Sequence, residues 1–97
     1  MTFRFLPAAQ TELLEGIEYY SAVRPKLGAR FEQAIAHAVL TAVAHPQHGA
    51  PRSQNTRRWL VKGFPFGVIY RATDKEVTIV AVAHQRKRPE YWGERTG

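Results

Sequence analysis

Phe66-Gly67-Val68-Ile69-Tyr70-Arg71-Ala72, then Thr73-Asp74-Lys75, then Glu76-Val77-Thr78-Ile79-Val80-Ala81-Val82-Ala83, is the stretch on which the fold turns. Its first part is β-branched and aromatic and its middle is turn-forming, so the whole predicts a β-hairpin. Val80 and Val82 stand where a half-exposed strand would carry polar residues. The second strand is therefore expected to be central and covered on both faces.

The reading extends upstream from this hairpin. Residues 57–62 alternate loosely around Trp59 and Val61 and predict a further strand, with Gly63-Phe64-Pro65 turning the chain. Residues 47–56 contain Gly49 and Pro51 and read as a loop. Before them, Leu27, Phe31, Ile35, Ala38, Val39 and Ala42 recur at helical spacing, predicting a helix over residues 27–44 that Pro46 stops. Residues 21–28, with Pro25 and Gly28, form the expected break before it. Leu13, Ile17 and Tyr20 are the stripe of an earlier helix that Pro7 opens, with Glu12, Glu15 and Glu18 largely on its wet side. Phe3-Arg4-Phe5-Leu6 begins the chain as a strand. The expected class is α+β, in the order strand, helix, helix, three strands. A helical hairpin packed on a mainly antiparallel four-stranded sheet is the simplest arrangement that buries every stripe.

Composition sets the bounds. Ninety-seven residues allow one domain, 1–97, and 44% hydrophobic content is that of a folded globule. There is no cysteine, so neither a disulfide nor a cysteine-based zinc site or nucleophile is available. The first nine residues lack the basic start and apolar run of a signal peptide, and no stretch approaches membrane-spanning length. A cytoplasmic location and no membrane partner are the expectation.

Charge is concentrated at one end. In residues 1–51 Arg4, Arg24, Lys26 and Arg30 cancel Glu12, Glu15, Glu18 and Glu32. Residues 52–97 hold ten Lys and Arg against Asp74, Glu76, Glu90 and Glu94, which accounts for the whole +6. Downstream of the hairpin, His84-Gln85-Arg86-Lys87-Arg88-Pro89-Glu90-Tyr91-Trp92 interleaves cations with rings at a strand end. Guanidinium pairs with carboxylate and phosphate while rings supply contact area, so the segment suits a polyanion or an acidic protein.

Several residues have a plainer reading. Tyr20 is expected to pack between helices, Trp59 to cover the sheet, and Trp92 either to fold back on the core or to meet a partner. His45 precedes Pro46 at a helix end, where an imidazole meets the last carbonyls; helix capping accounts for it better than a metal site built with His48 and His37. No Gly-rich phosphate loop and no Ser/His/Asp order is present, which removes nucleotide hydrolysis and acyl transfer.

Taken together, Glu18-Tyr19-Tyr20, Leu27-Gly28 with Arg30-Phe31, His45-Pro46, Phe64-Pro65-Phe66 with Ile69-Tyr70, and the ending His84, Arg86, Arg88-Pro89, Tyr91-Trp92 resemble the RelE/ParE superfamily of toxins from type II toxin–antitoxin systems. The resemblance covers essentially the whole chain and lies in the order of the pieces. It implies a small toxin neutralised by a cognate antitoxin, in a heterodimer or heterotetramer, with no cofactor and no metal.

Two targets follow from it. Members that look like RelE are ribosome-dependent mRNA endonucleases, which would make Arg58, His84, Arg86 and Tyr91 the catalytic candidates. Cleavage of RNA needs cationic clamps on the phosphate and an acid–base pair. The RelE-like pattern has an arginine three residues before the tyrosine of the third strand, where this chain has Gly67, and a second basic position is Leu60. Whether Arg71 compensates is left to the fold. Members that look like ParE inhibit DNA gyrase without catalysis, and the Phe64-Pro65-Phe66 approach and the ending fit that branch better. Arg86, Lys87, Arg88, Tyr91 and Trp92 are then the expected target-binding residues. Arg58, Arg71, Arg86 and Arg88 are the expected antitoxin-binding residues. A nucleic-acid-binding module without toxicity is a third reading that the charge supports, though no recognition-helix pattern accompanies it.

Overall fold

The computed structural model describes residues 1–95. Its elements are β1 (Thr2–Phe5), α1 (Pro7–Val23), α2 (Pro25–Ala44), β2 (Ala50–Arg52), β3 (Thr56–Leu60), β4 (Phe66–Ala72) and β5 (Glu76–His84). One sheet runs β1-β5-β4-β3-β2, antiparallel except for the β1–β5 pair. The two helices pack on one of its faces. The class is α+β, with one strand more than expected.

That additional strand is β2, within residues read as loop. It is only three residues long and contains Pro51, and such a segment carries no alternation to read. Proline is tolerated because β2 is an edge strand, bonded to β3 alone. The preceding loop is held by the buried Tyr70, whose hydroxyl donates to the Pro46 carbonyl and accepts from the Gly49 N–H, each at 3.1 Å. Arg57 then donates to the Gly49 carbonyl at 2.9 Å. A turn at Gln54 (φ 61°) and Asn55 (φ 59°) closes the β2–β3 hairpin.

The interhelical break is shorter than expected. Arg24 alone separates the helices, in extended backbone. Pro25 forces that extension on the residue before it, ending α1, and its own fixed φ starts α2 at the first helical position. Gly28 therefore lies inside α2, where the helices cross: a Cβ there would stand 2.9 Å from the Ile17 carbonyl oxygen. Lack of a side chain is what permits so close a crossing.

The sheet is covered on both faces, as the hairpin strands require. On the helix face Phe31, Ile35, Val39 and Ala42 meet Val68, Tyr70, Val77, Ile79 and Val82. Tyr20 and Phe31 pack with Phe64 and Phe66 at centroid separations from 4.9 to 6.3 Å. Tyr20 and Trp59 thus pack against this core. On the opposite face Leu6, Ile69, Val80, Ala81 and Trp92 form a second, smaller cluster. A register shift at Ile69/Tyr70 lets adjacent Val80 and Ala81 both join it.

His45 departs from its expected role. Its backbone N–H, not its imidazole, bonds the last turn, donating to Thr41 at 2.9 Å. The ring stacks on His48 with centroids 5.3 Å apart.

Candidate functional site

Beyond the end of β1, strand β5 has no neighbour on one side. β1 pairs with β5 only as far as Phe5 and Ile79, and the Leu6 N–H closes the ladder on the Ile79 carbonyl. The next groups along that edge are met by side chains. Glu12 of α1 accepts the Val82 N–H at 3.0 Å, and Arg95 donates to the Val80 carbonyl at 3.1 Å. The two side chains pair with each other through both carboxylate oxygens, at 2.8 and 3.1 Å. Tyr91 donates its hydroxyl to the same carboxylate at 2.6 Å. A carboxylate and a guanidinium thus stand in for the missing strand, because buried backbone groups need partners. Glu12 is therefore not a residue of the wet side, as helical periodicity alone suggests; its side chain is 14% exposed.

This network ties residues 84–95 to α1 and steers them across the sheet's second face. Successive turns bond Lys87 to His84, Tyr91 to Arg88, Gly93 to Glu90 and Arg95 to Trp92. The first turn is anchored by the Gln85 N–H on the Pro65 carbonyl and by the Arg86 N–H on His84 Nδ1, at 2.9 and 3.0 Å. Arg86, Lys87 and Arg88 are exposed on it. Trp92 is only 3% exposed, and its ring closes the second core. Tyr91 is half-buried, with Arg95 and Lys87 against its ring at 5.1 and 5.6 Å.

The exposed turn divides two concavities. A groove of ≈ 1030 Å³ along α1 is lined by Glu12, Glu15, Tyr19, Tyr20, Phe66, His84, Arg86 and Lys87 among others. On the helix-free face a pocket of ≈ 180 Å³ has Gly67, Ile69 and Ala83 along the strands, with Arg52, Arg58, Lys87 and Arg88 also lining it. Arg86 belongs to the first and Arg58 and Arg88 to the second, with Lys87, His84 and Tyr91 bordering both.

Of the four nuclease candidates, His84 and Tyr91 border both concavities, whereas Arg86 lines only the first and Arg58 only the second. His84 lies edge-on to Phe66 at 4.9 Å, and its Nδ1 is taken by a backbone N–H. Burial, followed by the Glu12 carboxylate, pushes the Tyr91 phenol well above its ordinary value, with Arg95 opposing. Arg95 is itself raised, first by its hydrogen bond to Glu12, although burial opposes the rise.

Gly67 now has a physical explanation. A Cβ there would lie 2.9 Å from Cδ and 3.0 Å from Cγ of Arg58, so the arginine stem occupies the space over the glycine. Arg71 does not replace the missing cation. It pairs with Thr78 while Gly67 pairs with Ala83, four residues or about 13 Å along the strand. Its guanidinium donates to the Gln54 and Arg95 carbonyls.

Sequence reasoning missed Glu12, Arg95 and Arg52. Glu12 and Arg95 stand 83 positions apart, and no local spacing marks their meeting. Among the described residues, no three His, Asp or Glu side chains converge, and no helix is long and apolar enough to cross a membrane.

One pH dependence follows from the network. The fold favours the neutral Tyr91 phenol, whose ordinary value is 10.0. Its stabilisation is therefore fully present below about pH 10 and is lost as pH rises further. Urea midpoints measured from pH 8 upward should fall more steeply above that value than those of Tyr91→Phe; parallel curves would contradict the assignment.

The model of the family described as "ParE toxin of type II toxin-antitoxin system, parDE" matches residues 3–89. A solved structure described as "Chromosomal ParDE TA system from P. aeruginosa" superposes with a TM-score of 0.74 at 20% identity, covering 87% of this chain and 95% of that one. At that identity the likeness is one of fold. No curated protein sequence matches the chain.

Proposed function

Because the chain belongs to the ParE toxin family of type II toxin–antitoxin systems, we propose that it binds DNA gyrase and favours its trapped cleavage complex, and that a cognate antitoxin neutralises it in the cytoplasm. The observation that carries this reading is the turn holding Arg86, Lys87 and Arg88. Three consecutive exposed cations sit on backbone fixed to Pro65 and His84. A cationic surface held in place steers an anionic partner and loses little side-chain and loop entropy on docking.

The state of Tyr91 supports binding over catalysis. General acid–base chemistry works best with a group that titrates near the operating pH. The Tyr91 phenol is held protonated on Glu12 and its value is raised, the opposite of what a general base needs. The antitoxin footprint is expected around Arg58, Arg86 and Arg88. Arg71 contributes through its charge, since it already donates to two carbonyls.

The test is gyrase supercoiling and DNA cleavage in the presence of the purified chain. Accumulated cleaved DNA is the expected result. Reversing Arg86, Lys87 and Arg88 to glutamate should reduce it by more than about tenfold, given the cost of juxtaposing like charges. Undisturbed gyrase sinks the reading. Cleavage of ribosome-bound mRNA would then assign a RelE-like activity, and salt-dependent duplex affinity alone would assign a non-toxic binding module.

A further inference from the structure

Among the described residues, Arg52 Nε, Arg58 Nε and Trp92 Nε1 are buried side-chain donors with no hydrogen-bond partner, whereas the Trp59 indole N–H has the Tyr70 hydroxyl beside it. The residues that carry the first three, Arg52, Arg58 and Trp92, line the same pocket on the helix-free face. An indole N–H and a guanidinium N–H can only donate, so each needs an acceptor. A buried donor left unpaired costs the fold free energy, and such groups are uncommon in native proteins. Three at one place, together with Lys87 and Arg88 and with no Asp or Glu in the lining, describe a site for an oxygen anion.

Its shape fits the same conclusion. Gly67 and Ala83 keep the strands beneath it low, and the glycine lets the Arg58 stem lie down across it. The ≈ 180 Å³ of space is enough for one small anionic group. Apolar groups border the cations: Ile69 is buried beneath, and Leu60 is 62% exposed. Phosphate contacts need charge alone, whereas an acidic side chain flanked by aliphatic ones uses both features.

We propose that this pocket binds the carboxylate of an acidic residue in an aliphatic segment of a protein partner, with Arg52, Arg58 and the Trp92 indole as its donors. The proposal rests on the antitoxin reading for the identity of the partner, and not for the existence of the site. Trp92, whose ring is buried in the second core, takes part through its N–H edge.

The two tryptophans make the site directly observable. Their indole N–H resonances are assigned with Trp59→Phe, and the intact chain is titrated with a short blocked peptide of alternating leucine and glutamate. The Trp92 signal should move and saturate while that of Trp59, which does not border the pocket, stays in place. The glutamine version of the peptide should leave both unmoved. Arg58→Gln should weaken the peptide by at least about tenfold, a typical loss for one partner of a charge-assisted pair. An unmoved Trp92 signal overturns the proposal, as does an equal response to the glutamine peptide. A response only to inorganic phosphate or a short oligonucleotide also overturns it, in favour of a nucleic-acid site. Capture of the antitoxin by the unaltered chain is a separate measurement: its failure removes the partner's identity and leaves the peptide result standing.

Discussion

Glu12→Ala is expected to lower stability by about 3 kcal/mol, and to loosen residues 84–95 while leaving the helices and sheet folded. The substitution removes one carboxylate that three donors share: it strands the Val82 N–H and the Tyr91 hydroxyl and leaves the Arg95 guanidinium with the Val80 carbonyl alone. Breaking a fully buried pair costs about 3–5 kcal/mol; the lower end applies because Arg95 and Glu12 side chains remain 22% and 14% exposed and water recovers part of the loss. For a chain of this length the melting temperature should fall by on the order of 10–20 °C. Glu12→Gln should fall between, since the amide still offers an oxygen to one donor but no charge to Arg95. Hydrogen exchange locates the effect: faster exchange at Val82 and across residues 84–95, with the α2 core unchanged, is the expected pattern. A melt within about 2 °C of the parent would mean that the network contributes little.

Trp92→Ala should cost about 3–5 kcal/mol, the range for truncating a buried aromatic. The indole is the lid of the second core, and without it Leu6, Ile69, Val80 and Ala81 face water. Trp92→Phe should recover much of the loss, because a ring again covers the apolar cluster. Because Glu12 and Trp92 hold the same segment, their effects should not add. Once Glu12→Ala has loosened residues 84–95, removing Trp92 should cost less than it does in the parent. Fully additive denaturation midpoints would show that the two attachments act independently. Loss of the cationic turn's geometry should weaken target binding in both variants, because Arg86, Lys87 and Arg88 are carried by the segment these residues hold.

The two halves of the candidate site were unequally legible. The cations and rings after β5 are contiguous, and their placement at a strand end follows from the apolar run before them. The same reading could not say which way they would turn. Arg86 lines the α1 groove and Arg88 the opposite pocket, two residues apart, because His84 and Pro65 fix the intervening turn. Helical periodicity put Glu12 toward water, which holds for Glu15 and Glu18 and fails for the one residue that meets the uncovered edge of β5. Periodicity reports the average face of a helix and carries no information about what that face meets. The short strand β2 and the one-residue break at Arg24 escaped for a related reason. One forms only because an edge is available to pair with, and the other depends on Pro25 acting as a start instead of a stop.

What the sequence determined by itself is the class, the order of every element except β2, the two-sided burial of β5, and the concentration of positive charge in the second half. All of these are written in local spacing, and local spacing survives any docking of the elements. Only the tertiary structure decided how Glu12 meets Arg95 across 83 positions, that the Arg58 stem lies over Gly67, and that the residues carrying three unpaired donors line one pocket. These are contacts between segments distant in the chain. They depend on where β1 stops along β5 and on how residues 84–95 fold back, and neither distance is encoded in any single stretch of residues.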